Sequence, residues 1–181
     1  LHDVDLTVRA GEVTALVGDN GAGKSTLVKC VAGIHPIDSG EVLFEGAPVT
    51  VAGPSDASRL GIEVVYQDLA LADNLDIVQN MFLGRERGRS WMLDEGSMEQ
   101  AARDTLASLS VRTVTSVRTP VASLSGGQRQ TVAIARAVYF GAKVLILDEP
   151  TSALGVKQSG VVLKYIVEAA KRGLGVIFIT H

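Results

Sequence analysis

The sequence predicts an α/β fold with a mainly parallel sheet, and two patterns along the chain carry this prediction. Short apolar runs typical of strands alternate with stretches of helical periodicity, the order expected when helices connect parallel strands. From Asp76 to about Phe140 the periodicity is helical, which indicates a helical insertion in the middle third. The hydrophobic fraction of 46% is enough to build a core and excludes a disordered chain.

The individual elements follow from the period of the apolar residues. Strands are expected at residues 4–8 and 12–17, Ile62–Tyr66, Val144–Leu147 and Val176–Ile179. Helices are expected at Lys24–Val31, Ser97–Leu109, Gln128–Phe140 and Lys157–Lys171. Residues 40–44 and 48–51, separated by Glu45-Gly46-Ala47, indicate a small antiparallel hairpin. The segment from Val111 to Val121, rich in Thr and Val, fits neither pattern and stays unassigned.

Charge and cysteine content exclude several classes of protein. The 181 residues include 17 basic and 20 acidic side chains, so no broad basic face, and no nucleic-acid partner, is expected. The single cysteine, Cys30, excludes an internal disulfide framework. No apolar run reaches the ~18 residues of a membrane-spanning helix. Because Leu1 directly precedes an alternating pattern and His181 directly follows an apolar run, we expect the chain to be an excerpt of a longer protein.

A glycine-rich turn between a predicted strand and a predicted helix has the composition of a phosphate-binding loop. Its residues are Gly18, Asp19, Asn20, Gly21, Ala22, Gly23, Lys24 and Ser25, which match G-x-x-x-x-G-K-[ST] in full, and Thr26 follows. Glycines let backbone N–H groups approach phosphate closely, and the helix N-terminus favours negative charge. Lys24 is expected to reach the β- and γ-phosphates, and the Ser25 hydroxyl to bind Mg²⁺. The alternative is a glycine-rich turn with an incidental lysine.

Two consecutive carboxylates end the apolar strand Val144–Leu147. Successive side chains of a strand point to opposite faces, so Asp148 can face a metal ion while Glu149 faces an attacking water. We therefore assign Asp148 to Mg²⁺, through water, and Glu149 to the role of general base. A strand that simply ends in exposed acids before Pro150 is the alternative.

A third motif, Leu124-Ser125-Gly126-Gly127-Gln128, precedes a predicted helix, where Ser and Gly also occur as ordinary helix N-termini. The order of motifs is decisive: phosphate loop, Gln67 after a strand, LSGGQ, Asp-Glu, and His181 after a strand. This order resembles the nucleotide-binding domain of ATP-binding-cassette (ABC) ATPases over essentially the whole chain. The resemblance implies a phosphate-loop NTPase (RecA-like) core, a small antiparallel β subdomain and a helical signature subdomain.

The resemblance also implies roles that the residues alone leave open. Gln67, otherwise a surface loop residue, would contact Mg²⁺ and sense the γ-phosphate, and His181, otherwise a chain-end histidine, would contact the γ-phosphate. Two domains would pair head-to-tail around two ATP molecules, so that Ser125, Gly127 and Gln128, with Gly126 between them, bind ATP held by the other subunit. The chain would be a single cassette truncated at both ends, with residues 1–72 and 141–181 as ATP-binding core and 73–140 as helical subdomain.

The sequence departs from the family in two places. The family usually has Asp after Ser-Ala-Leu, and this chain has Gly155 after Ser152-Ala153-Leu154, which puts the coupling of the two nucleotide sites in doubt. The family also stacks adenine on an aromatic residue well before the loop lysine. No aromatic residue occurs between Leu1 and Lys24, so this contact is expected to lie outside the chain.

Two further stretches resemble the ATPase subunits of bacterial carbohydrate importers of the ribose and fructose type: Asn80–Glu86, after an Asn74-Leu75-Asp76 opening, and Thr151–Val156. The alternative is that Phe82 and Leu83 are helix core and that Arg85 and Glu86 are a solvated helix end. That resemblance implies transmembrane permease subunits, an extracytoplasmic solute-binding protein and a peripheral position on the cytoplasmic face of the inner or plasma membrane. Residues Gln67 through Arg87 would meet the permease's cytoplasmic helix. Trp91 would lie nearby, and the alternative for it is a lone exposed or half-buried tryptophan. The alternatives are a non-transport ABC ATPase acting on DNA or ribosomes and a low-turnover regulatory domain.

Overall fold

The computed structural model describes residues 1–89, 92–111 and 113–181, and Trp91 lies outside them. The strands are β1 Val13–Val17, β2 Val42–Phe44, β3 Ala47–Val49, β4 Ile62–Val65, β5 Gly88–Arg89, β6 Met92–Leu93, β7 Val144–Asp148 and β8 Gly175–Thr180. The helices are α1 Lys24–Val31, α2 Pro54–Leu60, α3 Ile77–Phe82, α4 Glu95–Ser108, α5 Gly126–Tyr139 and α6 Val156–Lys171, with a 3₁₀ turn at Val121–Ser123. No helix in the described ranges has the length and apolarity needed to cross a membrane.

The chain forms two compact units. The core unit contains Leu1–Gln67, Gly141–Pro150 and Ala170–His181, and the helical unit contains Asp68–Phe140 and Thr151–Ala169. The subdomain boundaries expected from the sequence, at 72–73 and 140–141, stay a prediction.

A four-stranded parallel sheet forms the centre of the core unit, which confirms the predicted α/β class. Its strand order is β1-β8-β7-β4, and neighbouring strands are in register at Val17 with Thr180 and at Asp148 with Ile179. The two central strands are apolar because both their faces are covered. Ile146 and Ile177 are buried in one cluster with Val28 of α1, Ala57 of α2 and residues of the neighbouring strands.

The predicted hairpin in the first third is also present. Strands β2 and β3 pair antiparallel, with Phe44 opposite Ala47. Glu45 and Gly46 form the two-residue turn, and both have positive φ angles, 53° and 80°. Two successive left-handed residues are the geometry of a type I′ turn, whose twist matches that of the strands. The connection is therefore one residue shorter than expected, since Ala47 already belongs to β3.

Buried side chains of α3, α4 and α5 hold much of the helical unit together. Phe82, Leu106 and Ile134 are at most 3% exposed and supply one residue from each of these helices. The α3 helix begins with a capping box in which Asp76 accepts from the backbone N–H of Gln79, and Gln79 accepts from that of Asp76.

Three features differ from expectation. The prediction of a strand at residues 4–8 is wrong. This segment is mostly exposed and pairs with none of the described strands, although Val8 lies against Gly175. Helix α2 was not expected because Pro54–Leu60 is only seven residues long and has little apolar periodicity. The β5–β6 pair was not expected because each strand has only two residues, inside a stretch of helical periodicity.

Candidate functional site

All four sequence motifs assigned to the core unit lie at the carboxyl edge of its parallel sheet. Strand β1 leads into Gly18, β8 into His181, β7 into Glu149, and β4 is followed two residues later by Gln67. The carboxyl ends of parallel strands share one edge, which is where open α/β sheets bind ligands. Gly18 and His181, 163 positions apart in sequence, thus follow paired strand ends, because β1 and β8 are neighbours and Val17 is in register with Thr180.

The phosphate loop has the backbone that its composition requires. Gly21 and Gly23 have φ angles of 86° and 94°, which a residue with a side chain adopts only at a cost. Gly23 is the N-cap of α1 and has no side chain to bond the first N–H groups of the helix. Lys24 Nζ donates to Asp19 O at 3.0 Å and to Gly18 O, so the ammonium group lies over the loop. This places a positive charge beside a helix N-terminus, the arrangement that attracts a phosphate group.

Ile179 of β8 and His181, directly after β8, hold the backbone and the side chain of Glu149. Glu149 has a φ of 48°, in the left-handed region, and its N–H donates to Ile179 O at 3.1 Å. Its Oε1 lies 2.7 Å from Nε2 of His181, and the two side chains are 21% and 47% exposed. The carboxylate is therefore oriented and still reachable, as a group that acts on a bound molecule must be.

Asp148 is partly buried at the end of β7. Burial raises the pKa of its carboxyl, and the negative charge of Glu149 raises it further. Lys24, Lys29 and His181 act in the opposite direction without reversing the shift. A cation bound here would relieve the repulsion between the two carboxylates.

The structure adds Tyr66 to the site, a residue that the motifs did not single out. The register pairs Val65 with Leu147, so the next residues of the two strands, Tyr66 and Asp148, are neighbours. Burial raises the pKa of the Tyr66 hydroxyl, and the charge of Asp148 adds to the effect. Its place directly before Gln67 was the available signal in the sequence.

The oxygen donors at this edge fit a magnesium ion whose remaining ligands would be phosphate oxygens and water. Ser25 offers a hydroxyl, Gln67 an amide oxygen and Asp148 a carboxylate, all of the hard type that Mg²⁺ prefers. Among the described residues, no three His, Cys, Asp or Glu side chains form a group that could hold a metal by themselves. The chemistry of the donor set therefore suits an ion completed by phosphate oxygens and water.

The LSGGQ residues lie in the helical unit rather than in the core unit. Ser125 is the N-cap of α5 and forms a capping box with Gln128: Ser125 N–H donates to Gln128 Oε1 at 2.8 Å, and Gln128 N–H donates to Ser125 Oγ. Gln128 Nε2 also donates to Thr113 O. The motif is thus a well-ordered helix N-terminus, with Gly126 and Gly127 in its first turn.

Comparison with known proteins agrees with this geometry. Residues 1–152 match the family described as ABC transporter. The xylose/arabinose import ATP-binding protein XylG of Sulfolobus acidocaldarius is 48% identical, over the whole chain and 72% of that protein. The fructose import ATP-binding protein FrcA of Rhizobium meliloti is 46% identical, again over the whole chain and 72% of that protein. The ribose import ATP-binding protein RbsA of Rhodopirellula baltica is 43% identical, and the chain covers 35% of its length.

Solved structures give the same family. A nucleotide-free ATP-binding cassette from an ABC transporter superposes with a TM-score of 0.84 and 26% identity, over 97% of this chain and 73% of that one. The ADP conformation of another ABC-transporter cassette superposes with a TM-score of 0.83 and 26% identity, over 98% of this chain and 73% of that one. The family match, the relatives and the strand-end motifs lead to one conclusion: the chain belongs to the ABC transporter family, as an ATP-binding, ATP-hydrolysing cassette.

Proposed function

We propose that this chain is the ATPase subunit that energises uptake of a sugar through an ABC transporter. The observation that carries the proposal is the alignment of Glu149, His181, Gln67 and the phosphate loop along one sheet edge. The relatives are import ATP-binding proteins for xylose/arabinose, fructose and ribose, which supports a sugar as the transported substrate.

In this proposal the phosphate loop binds the triphosphate of ATP, and Lys24 balances charge on the β- and γ-phosphates. Ser25, Gln67 and Asp148 would hold Mg²⁺, which supplies charge neutralisation at the phosphates. The raised pKa of Asp148 supports this assignment, because two adjacent carboxylates are readily stabilised by a cation.

Glu149 acts as the general base that orients and deprotonates the attacking water. Its fixed backbone supports this role because a water can be oriented only by a carboxylate that is itself held in place. His181 holds Glu149 through the 2.7 Å contact and offers its ring to the γ-phosphate. The proton leaves water for Glu149 as the oxygen attacks phosphorus and ADP departs.

The LSGGQ motif acts on ATP bound by a second copy or a related cassette. We propose head-to-tail pairing because the motif offers a helix N-terminus, a type of anion site, in a unit separate from the phosphate loop. ATP then closes the pair, and hydrolysis reopens it.

The partners in this proposal are permease subunits and, through them, an extracytoplasmic solute-binding protein. The chain would act peripherally, at the cytoplasmic face of the membrane. Within the stretch from Gln67 to Arg87, the end of α3 supports contact with a permease because Leu83 is 53% exposed directly after the buried Phe82.

The experiment is ATP hydrolysis by the cassette reconstituted with its permease in liposomes. We expect sugar-loaded binding protein to stimulate phosphate release, and sugar-free binding protein to stimulate it much less. Hydrolysis that ignores the binding protein and responds instead to DNA or ribosomes would favour a non-transport ATPase.

A further inference from the structure

Space, not backbone conformation, explains the two glycines of the LSGGQ motif. Neither Gly126 nor Gly127 has a left-handed φ, so an ordinary residue can adopt the backbone at both positions. A Cβ on Gly126, however, would lie 2.7 Å from Cδ2 of Leu154. A Cβ on Gly127 would lie 3.3 Å from Cβ of Gln158. The first turn of α5 therefore packs directly against the segment that begins α6.

Leu154 is itself held in a short, ordered turn. Its N–H donates to Thr151 O at 3.1 Å, and Ser159 N–H donates to Gly155 O at 2.9 Å as α6 begins. The chain reaches this turn directly from Glu149 through Pro150. From this turn Leu154 reaches the helix N-terminus that carries Ser125 and Gln128.

We infer that Leu154 is a positioning residue for the LSGGQ motif. Its side chain supports the first turn of α5, so that Ser125 and Gln128 keep the orientation in which they can meet phosphate. Glycine at 126 is needed because the leucine occupies the place of a side chain there. This inference rests on the proposed function, since the motif acts on ATP only within a pair of cassettes.

The contact between Leu154 and Gly126 can be tested with variants that change which side chain fills the space beside residue 126. In Gly126→Ala the new methyl group displaces the leucine, whose terminal carbon is free to rotate, so the fold is retained. In Leu154→Ala the support is lost. In the double variant the methyl group at 126 enters the space left by the leucine. Gly160→Ala is the matched control, because Gly160 lies exposed on α6 with nothing within 4 Å of an added Cβ.

We expect kcat for ATP hydrolysis to fall on the order of tenfold to a hundredfold in each single variant, as for a displaced contact group. ATP affinity should stay unchanged, because each cassette's own phosphate loop is intact. The double variant should recover much of the lost rate, and the control should behave as the unmodified protein. Unchanged kcat in Leu154→Ala, or a double variant as impaired as the two singles combined, would overturn the inference.

Hydrogen exchange separates this inference from the proposed function. The amide of Gln128, bonded to Ser125 Oγ, should exchange faster in Leu154→Ala and not in Gly160→Ala. Equal protection in Leu154→Ala and the unmodified protein would refute the support by Leu154 whatever the activity. An unmodified protein that neither binds nor hydrolyses ATP would instead refute the proposed function.

Discussion

Glu149 has a backbone conformation that the neighbouring strand must maintain. A non-glycine residue in the left-handed region costs about 1–3 kcal/mol unless its surroundings hold it there. Its N–H bond to Ile179 O and its carboxylate contact with His181 both come from the end of β8. The two contacts hold both the backbone and the carboxylate of Glu149 in place.

The raised pKa of Asp148 predicts a pH-dependent effect of removing its charge. The folded protein binds a proton at this carboxyl more tightly than the unfolded chain does, because burial and Glu149 disfavour the ionised form. The ionised carboxylate therefore lowers stability above its folded-state pKa, and this loss disappears below the unfolded value near 3.8. Asp148→Asn, without nucleotide, should be more stable than the unmodified protein at pH 7, with a smaller difference as the pH falls.

Urea unfolding at a series of pH values measures this difference. Asp38→Asn, at an exposed position, is the control and should give a pH profile close to that of the unmodified protein. An Asp148→Asn variant that is less stable at pH 7, or equally stable at every pH, would contradict a carboxylate destabilised by burial.

Lys24 should be required for tight ATP binding. Its ammonium group lies over the phosphate loop, bonded to the carbonyl groups of Gly18 and Asp19, so Lys24→Ala removes the charge that we propose faces the phosphates. Binding of a fluorescent ATP analogue should be lost at micromolar concentration. Lys143→Ala removes a lysine whose exposed partner is Glu45, and this control should bind as before. Micromolar affinity in Lys24→Ala would argue against this role of the loop.

At the scale of elements, helices and strands were predicted best where an apolar pattern is continuous or a motif sets the boundary. Helix α1 has the predicted bounds, Lys24–Val31, because Gly23 is the last glycine of the loop and the helical spacing of apolar residues begins directly after it. Strand β7 was predictable because Val144–Leu147 is apolar throughout, as a strand covered on both faces must be. Residues 4–8 alternate equally well, but alternation cannot supply a neighbouring strand to pair with.

The position of the site was predictable, and its internal contacts were not. Motif order placed the four functional segments after strands, and parallel pairing then placed them at one edge. The left-handed φ of Glu149 and the neighbouring position of Tyr66 depend on which strands lie side by side. The same is true of the Leu154 contact with Gly126, since it joins residues from two different elements.

The start of α3 depends on one buried side chain. Asn80 is fully buried and bonded to the backbone of the preceding loop: Ala72 N–H donates to Oδ1 at 2.7 Å, and Nδ2 donates to the carbonyl groups of Ala72, Leu75 and Asp76. Asn80→Ala leaves these part-buried backbone groups without their partner and should lower the free energy of unfolding by about 1–3 kcal/mol.

Urea unfolding measures this loss too. The control is Gln100→Ala, which removes an exposed amide bonded only to the side chain of Asp104 in the described contacts. Exposed side-chain bonds contribute little, so this variant should remain close to the unmodified protein. Equal stability of the Asn80 variant would show that water replaces the amide without loss.

At the scale of the molecule, the two compact units carry different parts of the proposed chemistry. The core unit holds the phosphate loop, Asp148, Glu149 and His181, and the helical unit holds the LSGGQ motif and Gly155. In the proposed pair of cassettes, each ATP is bound by the core unit of one chain and the helical unit of the other. Gly155 has nothing within 4 Å of an added Cβ and supplies no carboxylate, so any coupling between the two ATP sites of the proposed pair would use other groups.

The most direct test of the account is phosphate release from Mg-ATP by the purified protein and its Glu149→Gln variant. The substitution keeps the size of the side chain and removes its ability to take a proton from water. We predict that the variant binds ATP as the unmodified protein does, releases phosphate at least about a hundredfold more slowly, and accumulates as an ATP-bound dimer in size-exclusion chromatography. Turnover equal to that of the unmodified protein would contradict Glu149 as the base and the assignment of this sheet edge as the site of hydrolysis.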